Sequence, residues 1–322
     1  RQENPTSWEN IVYTGPDFFE KMISEQPGNV MVTSGNNAKK TEDILKTLEA
    51  GINVLADKPM VITPEEFPKL EKAFEIADEE GVLLYDIMTE RFEITNIIKR
   101  ELAGIPEIFG KLQEGTSDNP SLVKASTHHF FRYVSGEPLQ RPAWFFDVDQ
   151  QGDGTVDITT HLVDLNQWEA FPEVILDKKD VEIVSAKHWS TDLTPGMFRK
   201  VTGREEYPDY LREDVEDGIL KVYSNGEIIY KLKNNFAKVS VVWNFEAQEG
   251  AGDTFYSLMR GSLCNLIISQ SEREGYNRHL YVEAAEDQDI EKFASALERG
   301  VSLELGEKYP GIGLTKLDKE LW

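Results

Sequence analysis

The chain has a single cysteine, Cys264, among 322 residues, which excludes an internal disulfide and a thiolate metal cluster. That cysteine lies in a run of strand character, where a thiol behaves as a small hydrophobe. No apolar stretch approaches the about 20 residues that a membrane-spanning helix needs, and the opening RQENPTSWEN is not a signal peptide. The default expectation is cytoplasmic, with export left open because there is no initiator methionine. Basic residues are scarce: 34 Lys and Arg against 58 Asp and Glu leave a formal charge of −24, a field of the wrong sign for nucleic acid or an anionic membrane. Neither is an expected partner. What is present, 40% hydrophobic and 10% aromatic residues, suffices for a buried core and excludes an acidic disordered chain.

The first hundred residues alternate strand and helix signals at the rhythm of a parallel sheet. NVMVTS (29–34), INVLAD (52–57) and VLLYDI (82–87) read as strands. TEDILKTLEAG reads as a helix ended by Gly51 in the left-handed region. A second helix begins with a capping box at Thr63 and Glu66, with Pro64 at its first position, and runs to Gly81; Pro68 sits uneasily near its start. ERFEITNIIKRELAG reads as a third helix. From about residue 105 the pattern changes to long β-rich stretches: EIFGKLQE, LVKASTHHFFRYV, VEIVSAKHWST, ILKVYSNGEIIYKL, KVSVVWNFEA, TFYSLMRGSLCNLIISQ and RHLYVEAA. SNGE is expected to be a hairpin turn. One helix, roughly 157–170, interrupts the strands, and DIEKFASALERG follows them. The expected organisation is therefore an α/β domain over 1–104 and an α+β domain over 105–322 with a large, mostly antiparallel open sheet.

Two segments carry the chemistry. GINVLADKPM is a buried strand that delivers Asp57, Lys58 and Pro59 to the carboxyl edge of a parallel sheet, where ligands bind. An X-Pro bond there can be cis and aim the lysine into a cleft; the alternative is a surface lysine in a loop. QQGDGTVDITTHLVDLNQW places two glycines, Gly152 and Gly154, before a helix with Asp157, His161, Asp164 and Trp168 on one face. An aspartate one turn before a histidine is a plausible acid/base pair, although an interface histidine fits the same spacing. No second histidine falls at ligand spacing, so no metal is expected. His128 and His129, adjacent on a strand, should face opposite ways, leaving at most one, His129, toward a site. Arg141 and Trp144 in RPAWFFD could wall a substrate or simply pack. Trp189, Trp243, Phe145 and Phe146 read as core.

LEAGINVLADKPM and, about a hundred residues later, GDGTVDITTHLVD together resemble the Gfo/Idh/MocA oxidoreductases. That family has a Rossmann domain before an α/β domain with an open antiparallel sheet, a strand ending in Glu-Lys-Pro, and a glycine-rich loop followed by D-x-x-x-H-x-x-D. The resemblance implies NAD or NADP as cofactor and a sugar, polyol or related hydroxy compound as substrate. It implies Lys58, Asp157 and His161 as catalytic residues. It also implies that Ser34, Gly35, Asn36, Asp57, Lys58 and Pro59 lie at the cofactor; His129, Arg141, Trp144 and Asp164 are the substrate candidates. A homo-oligomer formed through the open face of the second sheet follows from the same resemblance. Asp57 stands where the family has glutamate, and Lys40 where many members have histidine. The family's first strand and its G-x-G-x-x-G turn are not found in residues 1–28, so the expectation is an incomplete Rossmann-like domain that by itself binds NAD(H) weakly or not at all. Two other readings share the fold: an NAD-assisted glycoside hydrolase and a non-catalytic sugar-binding or assembly protein.

Overall fold

The computed structural model describes residues 7, 10–134, 136–286 and 288–322, so most of the opening RQENPTSWEN lies outside the described residues. The chain divides into two compact units, one running to Ile87 and the other comprising Met88–Trp322. Asn36–Ala38 group with the second.

The first unit opens with helix α1 (Phe18–Glu25) and then alternates β1 (Val30–Thr33), α2 (Lys40–Glu49), β2 (Asn53–Asp57), α3 (Phe67–Glu80) and β3 (Leu84–Ile87). The strands pair in parallel in the order β1-β2-β3, the Rossmann-like arrangement expected from the rhythm. Ile44 and Leu48 of α2 and Ala73 and Ile76 of α3 close over Val54 and Ala56 of β2 as a small core. Gly51 ends α2 at φ +71, a conformation that costs little without a Cβ. The start of α3 differs from the expected capping box. Pro64–Glu66 is a turn of 3-10 helix that Thr63 caps without a side-chain hydrogen bond, and the α-helix proper begins at Phe67. Pro68 therefore falls in the first turn, where its missing N–H has no intrahelical acceptor to lose.

Helix α4 (Ile94–Ala103) opens the second unit, capped by Glu93, whose carboxylate accepts from the backbone N–H groups of Thr95 and Asn96. Ile98 and Leu102 of this helix enter the large core of the second unit. The structural division thus falls at Ile87 and Met88, upstream of residue 104, because the apolar face of α4 finds its partners in the sheet that follows. After β4 (Leu122–Phe131) come a short hairpin of β5 (Tyr133–Val134) and β6 (Glu137–Pro138), the helices α5 (Val148–Gln151) and α6 (Thr159–Ala170), and β7 (Val181–Leu193). Helix α7 (Pro195–Thr202) and β8 (Val215–Glu216) lead to β9 (Ile219–Leu232), β10 (Asn235–Glu246), β11 (Thr254–Arg260), β12 (Cys264–Gln270), β13 (His279–Ala284) and α8 (Ile290–Arg299). Helix α7 is an addition to the elements expected from the sequence, though Thr194 as cap and Pro195 at the first position mark its start. The sheet order is β13-β12-β11-β4-β10-β9-β7, with β8 beside β9. Its pairings are antiparallel except that of β4 with β10. Helix α6 packs over β4 and β10, and α4 over β12 and β13.

Two β expectations change. EIFGKLQE is a run of turns in which Ile108 and Phe109 are buried, and Leu112 meets the sheet through an isolated bridge to Gly261. ILKVYSNGEIIYKL is the single strand β9, with no turn at SNGE. Its Gly226 is there for another reason. A Cβ on Gly226 would lie 2.4 Å from the Gly154 carbonyl oxygen, and one on Gly154 would lie 2.1 Å from the carbonyl carbon of Asn225. The two glycines let the backbones touch, which is the use of a glycine inside a strand. The hairpin turn comes instead between Leu232 and Asn235, where Lys233 takes φ +54. Trp243 is buried as expected, but Trp189 is half-buried on β7, with the Lys187 ammonium 5.8 Å from its ring centroid. Cys264 is fully buried, and burial pushes its thiol up to about 12. Among the described residues no helix is long and apolar enough to cross a membrane.

Candidate functional site

In the first unit the candidate residues gather at the carboxyl ends of the parallel strands, the edge where open α/β sheets take ligands. β1 leads into Ser34 and Gly35, the latter at φ +99 with nothing within 4 Å of where a Cβ would stand. β2 leads into Asp57, Lys58 and Pro59, and the Lys58-Pro59 bond is cis. The first turn of α2 braces this segment on both flanks. Lys40 Nζ donates to the Asp57 carbonyl at 3.0 Å, and Thr41 Oγ1 donates to the Met60 carbonyl at 2.6 Å. Both residues are buried, so Lys40 holds the strand end in place. The Asp57 carboxylate accepts from the Lys58 backbone N–H at 2.9 Å, which turns it toward its own chain.

In the second unit the loop from Gly152 to Asp157 is pinned by several elements. The Gly154 N–H donates to the Tyr223 carbonyl of β9 at 2.9 Å. Asp153 Oδ1 accepts from the Thr155 backbone N–H at 2.6 Å and from its hydroxyl at 2.5 Å, while Oδ2 lies 2.7 Å from His188 Nδ1 on β7. Asn36 and Asn37 hold the segment just before: Asn36 Nδ2 donates to Gln150 Oε1 at 2.6 Å, and Asn37 Nδ2 to the Gln151 carbonyl at 2.7 Å. Gln151 in turn donates through Nε2 to Asp157 Oδ1 at 3.0 Å. Asn36, a cofactor candidate from the sequence, is therefore engaged with the segment that supports Asp157. Asp157 is buried and borders a narrow slot with Phe130, Phe145 and Trp243. His161 lies in the first turn of α6, half-buried. One turn on, Asp164 accepts from Arg91 Nε at 2.8 Å and also from its Nη2. Asp164, expected at the substrate, thus clamps Arg91.

Arg141 lies beside the slot. Its Nε donates to the Phe130 carbonyl at 2.9 Å and its Nη2 to the His129 carbonyl at 3.3 Å, with the guanidinium 4.4 Å from the Phe145 ring centroid and 5.1 Å from that of Trp243. Burial and the nearby Arg132 lower it to about 10, against the pull of Asp157 and Asp253, so it remains a cation at neutral pH. His128 and His129 do not diverge as expected. Asp253, just ahead of β11, receives both, with Nδ1 of His128 3.3 Å from Oδ2 and Nδ1 of His129 3.0 Å from Oδ1; Arg132 is a third partner. Burial alone would raise the Asp253 carboxyl, but His128, His129 and Arg132 bring it down to about 2. Trp144 is half-buried in the turn Ala143–Phe146. Asp253, Arg91, Asn37 and His188 were not candidates from the sequence; each meets its partner across a long stretch of chain, and no local pattern marks it. Among the described residues no group of His, Cys, Asp or Glu is arranged to hold a metal ion.

A Rossmann-like βαβ unit is followed by an α+β unit with a large, mostly antiparallel sheet, and Lys58 stands at the carboxyl end of the parallel strands. Residues 98–322 match the family described as "Putative oxidoreductase C terminal domain", and the chain belongs to that family. It is 50% identical to a "putative oxidoreductase" from Parabacteroides merdae, whose crystal structure superposes with a TM-score of 0.96 over 100% of this chain and 73% of the other. It is 13% identical to a crystal structure described in the same words from Erwinia carotovora, with a TM-score of 0.57 over 83% of this chain and 67% of the other. A levoglucosan dehydrogenase in complex with NADH, 16% identical, has a TM-score of 0.56 over 85% of this chain and 62% of its own. The last two likenesses are of fold. No curated protein matches the chain.

Proposed function

We propose that the chain is a nicotinamide-dependent dehydrogenase of the Gfo/Idh/MocA kind, moving a hydride between NAD or NADP and a sugar, polyol or related hydroxy compound. The observation that carries this reading is the pinned glycine loop, which holds a buried, hydrogen-bonded Asp157 in the turn that leads into α6, the helix that carries His161. The oxidoreductase family and the fold shared with an NADH-bound levoglucosan dehydrogenase support it. The first unit is the nucleotide-binding domain and the second the substrate domain.

A dinucleotide fits the carboxyl edge of β1 and β2. Gly35 leaves open space at the end of β1, and the Asp57–Met60 segment, its backbone braced by Lys40 and Thr41, carries Lys58 beside it. Ser34, Gly35, Asp57, Lys58 and Pro59 would hold it, and when bound it supplies the hydride chemistry. In the oxidative direction the His161 imidazole takes the proton of the reacting hydroxyl, and Asp157 steadies the ring and its charge. The Lys58 ammonium stabilises the oxygen as negative charge develops on it. Arg141, His129 and Trp144 border the substrate, and Asp164 contributes by holding Arg91. The test is transfer of deuterium from the carbinol carbon of labelled sugars and polyols to nicotinamide C4, followed by mass spectrometry with NAD and NADP. Transfer from at least one substrate is expected, and none from the whole panel overturns the reading.

Self-association through the outer face of the large sheet is part of the same proposal. That face carries Val123, Val242, the exposed Tyr256 and Ile267, beside Glu227 bridged to Lys187 and Lys238 at 2.9 Å each. Sedimentation at micromolar concentration should give a dimer or larger, and a monomer removes this part.

A further inference from the structure

A cavity of about 680 Å³ opens between the ends of β4 and β10 and the loop 247–253, a size in the range of small-ligand sites, about 300–1,000 Å³. It is distinct from the slot at Asp157. One side is Asp253, clamped by His128, His129 and Arg132. The others present Tyr133, 65% exposed, together with Gln248 and Glu249. The aromatic side is braced from behind. Phe131 meets Tyr133 edge-on with centroids 5.6 Å apart and stacks on Phe245, and Lys200 Nζ sits 4.0 Å over the Phe131 ring while bonding both oxygens of Glu246 at 2.8 Å.

The charges do not favour an anion. Arg132 is matched by Asp253 and Lys200 by Glu246, which leaves the Glu249 carboxylate as an acceptor on the rim. An aromatic face flanked by an amide, a carboxylate and an imidazole suits a neutral ring bearing many hydroxyls: its C–H face lies on the phenol ring and its hydroxyls reach the polar groups. The position is informative too. Arg141 hydrogen-bonds the carbonyls of both Phe130, which lines the slot, and His129, which lines the cavity. One side chain therefore ties a residue of the slot that contains Asp157 to a residue of the cavity that contains Asp253.

We propose that this cavity is a subsite for the second ring of a neutral disaccharide or glycoside whose reacting ring lies at Asp157. The identity of the reacting ring rests on the dehydrogenase reading; binding of the second ring does not. The test uses saturation-transfer NMR without nicotinamide, on the full chain and on Tyr133→Ala and Gln248→Ala, with cellobiose, maltose, lactose and sucrose set against glucose and galactose. At least one disaccharide should bind roughly tenfold more tightly than its component sugars, the scale of one aromatic contact, and Tyr133→Ala should abolish that preference while leaving monosaccharide binding unchanged. Gln248→Ala should weaken the same disaccharide alone. The proposal is overturned if no disaccharide is preferred, or if the variants weaken monosaccharide and disaccharide alike. Both side chains are outside the core, and an unchanged melting temperature verifies folding. Tyr133-dependent disaccharide binding without deuterium transfer would sink the dehydrogenase reading and leave the subsite standing; transfer from monosaccharides with no disaccharide preference would do the reverse.

Discussion

His161→Asn is expected to lower kcat by about 10²–10⁴-fold, the usual contribution of a positioned acid/base group, with little change in melting temperature. Asparagine keeps a polar side chain of similar reach but exchanges no proton near neutral pH. The packing of α6 rests on other residues: Leu162 and Leu165 are buried in the core, and Asn166 Nδ2 donates to the Tyr230 hydroxyl at 3.1 Å. Chemistry and stability should therefore separate. The measurement is steady-state turnover of the preferred substrate across pH, alongside thermal unfolding. A histidine base gives the wild-type profile an acid limb that the variant lacks. Turnover that survives the substitution would remove His161 from the mechanism, and a matching loss of melting temperature would make its role structural.

Glu169→Gln is expected to destabilise the second unit by about 3–5 kcal/mol, the cost of leaving buried charge without its partner. Glu169 on α6 is buried together with two lysines. Lys99 Nζ of α4 lies 3.0 Å from Oε2, and Lys124 Nζ of β4 lies 2.9 and 2.8 Å from the two carboxylate oxygens. Ser257 of β11 accepts from both ammonium groups, at 2.5 and 2.8 Å. One carboxylate thus serves two cations in the core. Loss of the carboxylate strands both lysines, whereas Lys124→Met leaves a balanced pair of Lys99 and Glu169, so its cost should be far smaller. Urea unfolding of the two variants decides the matter, and equal losses would contradict this account. The pH dependence has a definite sign. Burial lowers Lys124 to about 7, aided by Lys99 and opposed by Glu169. Between about pH 7 and the ordinary lysine value near 10.4, the unfolded chain holds more protons at this group than the folded one. Its contribution to stability therefore rises with pH through that window and is lost as pH falls through 7. The wild type should show this slope relative to Lys124→Met.

Periodicity made much of the architecture legible. The alternation from Val30 to Ile87 defined the parallel unit, and the position of Lys58-Pro59 at a strand end and of Gly152 and Gly154 before a helix picked out the segments that the structure braces. What stayed hidden was contact between distant segments. SNGE has turn chemistry, but Gly226 serves the approach of Gly154, some seventy residues upstream, and nothing near either glycine signals the other. Alternation separates His128 from His129 along the strand, yet Asp253 lies where both rings can reach it. The helix signal of α4 was clear while its allegiance was not, because an amphipathic stripe says that a face is buried without saying against what. Asn36 is placed correctly after β1 by its strand, and only the fold shows its side chain turned to Gln150.

The parallel pairing of β4 with β10 bears on the order in which the polypeptide can mature. β4 ends at Phe131, and its two neighbours, β10 and β11, begin only at Asn235 and Thr254. The pairs β9 with β10 and β11 with β12 are local hairpins that close cheaply, but seating β4 between them closes a long loop, the slow kind of event in sheet assembly. During translation β4 is synthesised long before either partner, so a nascent chain carries its central strand with both edges bare for much of its synthesis. Arrest or truncation before residue 235 leaves that strand without a sheet to join.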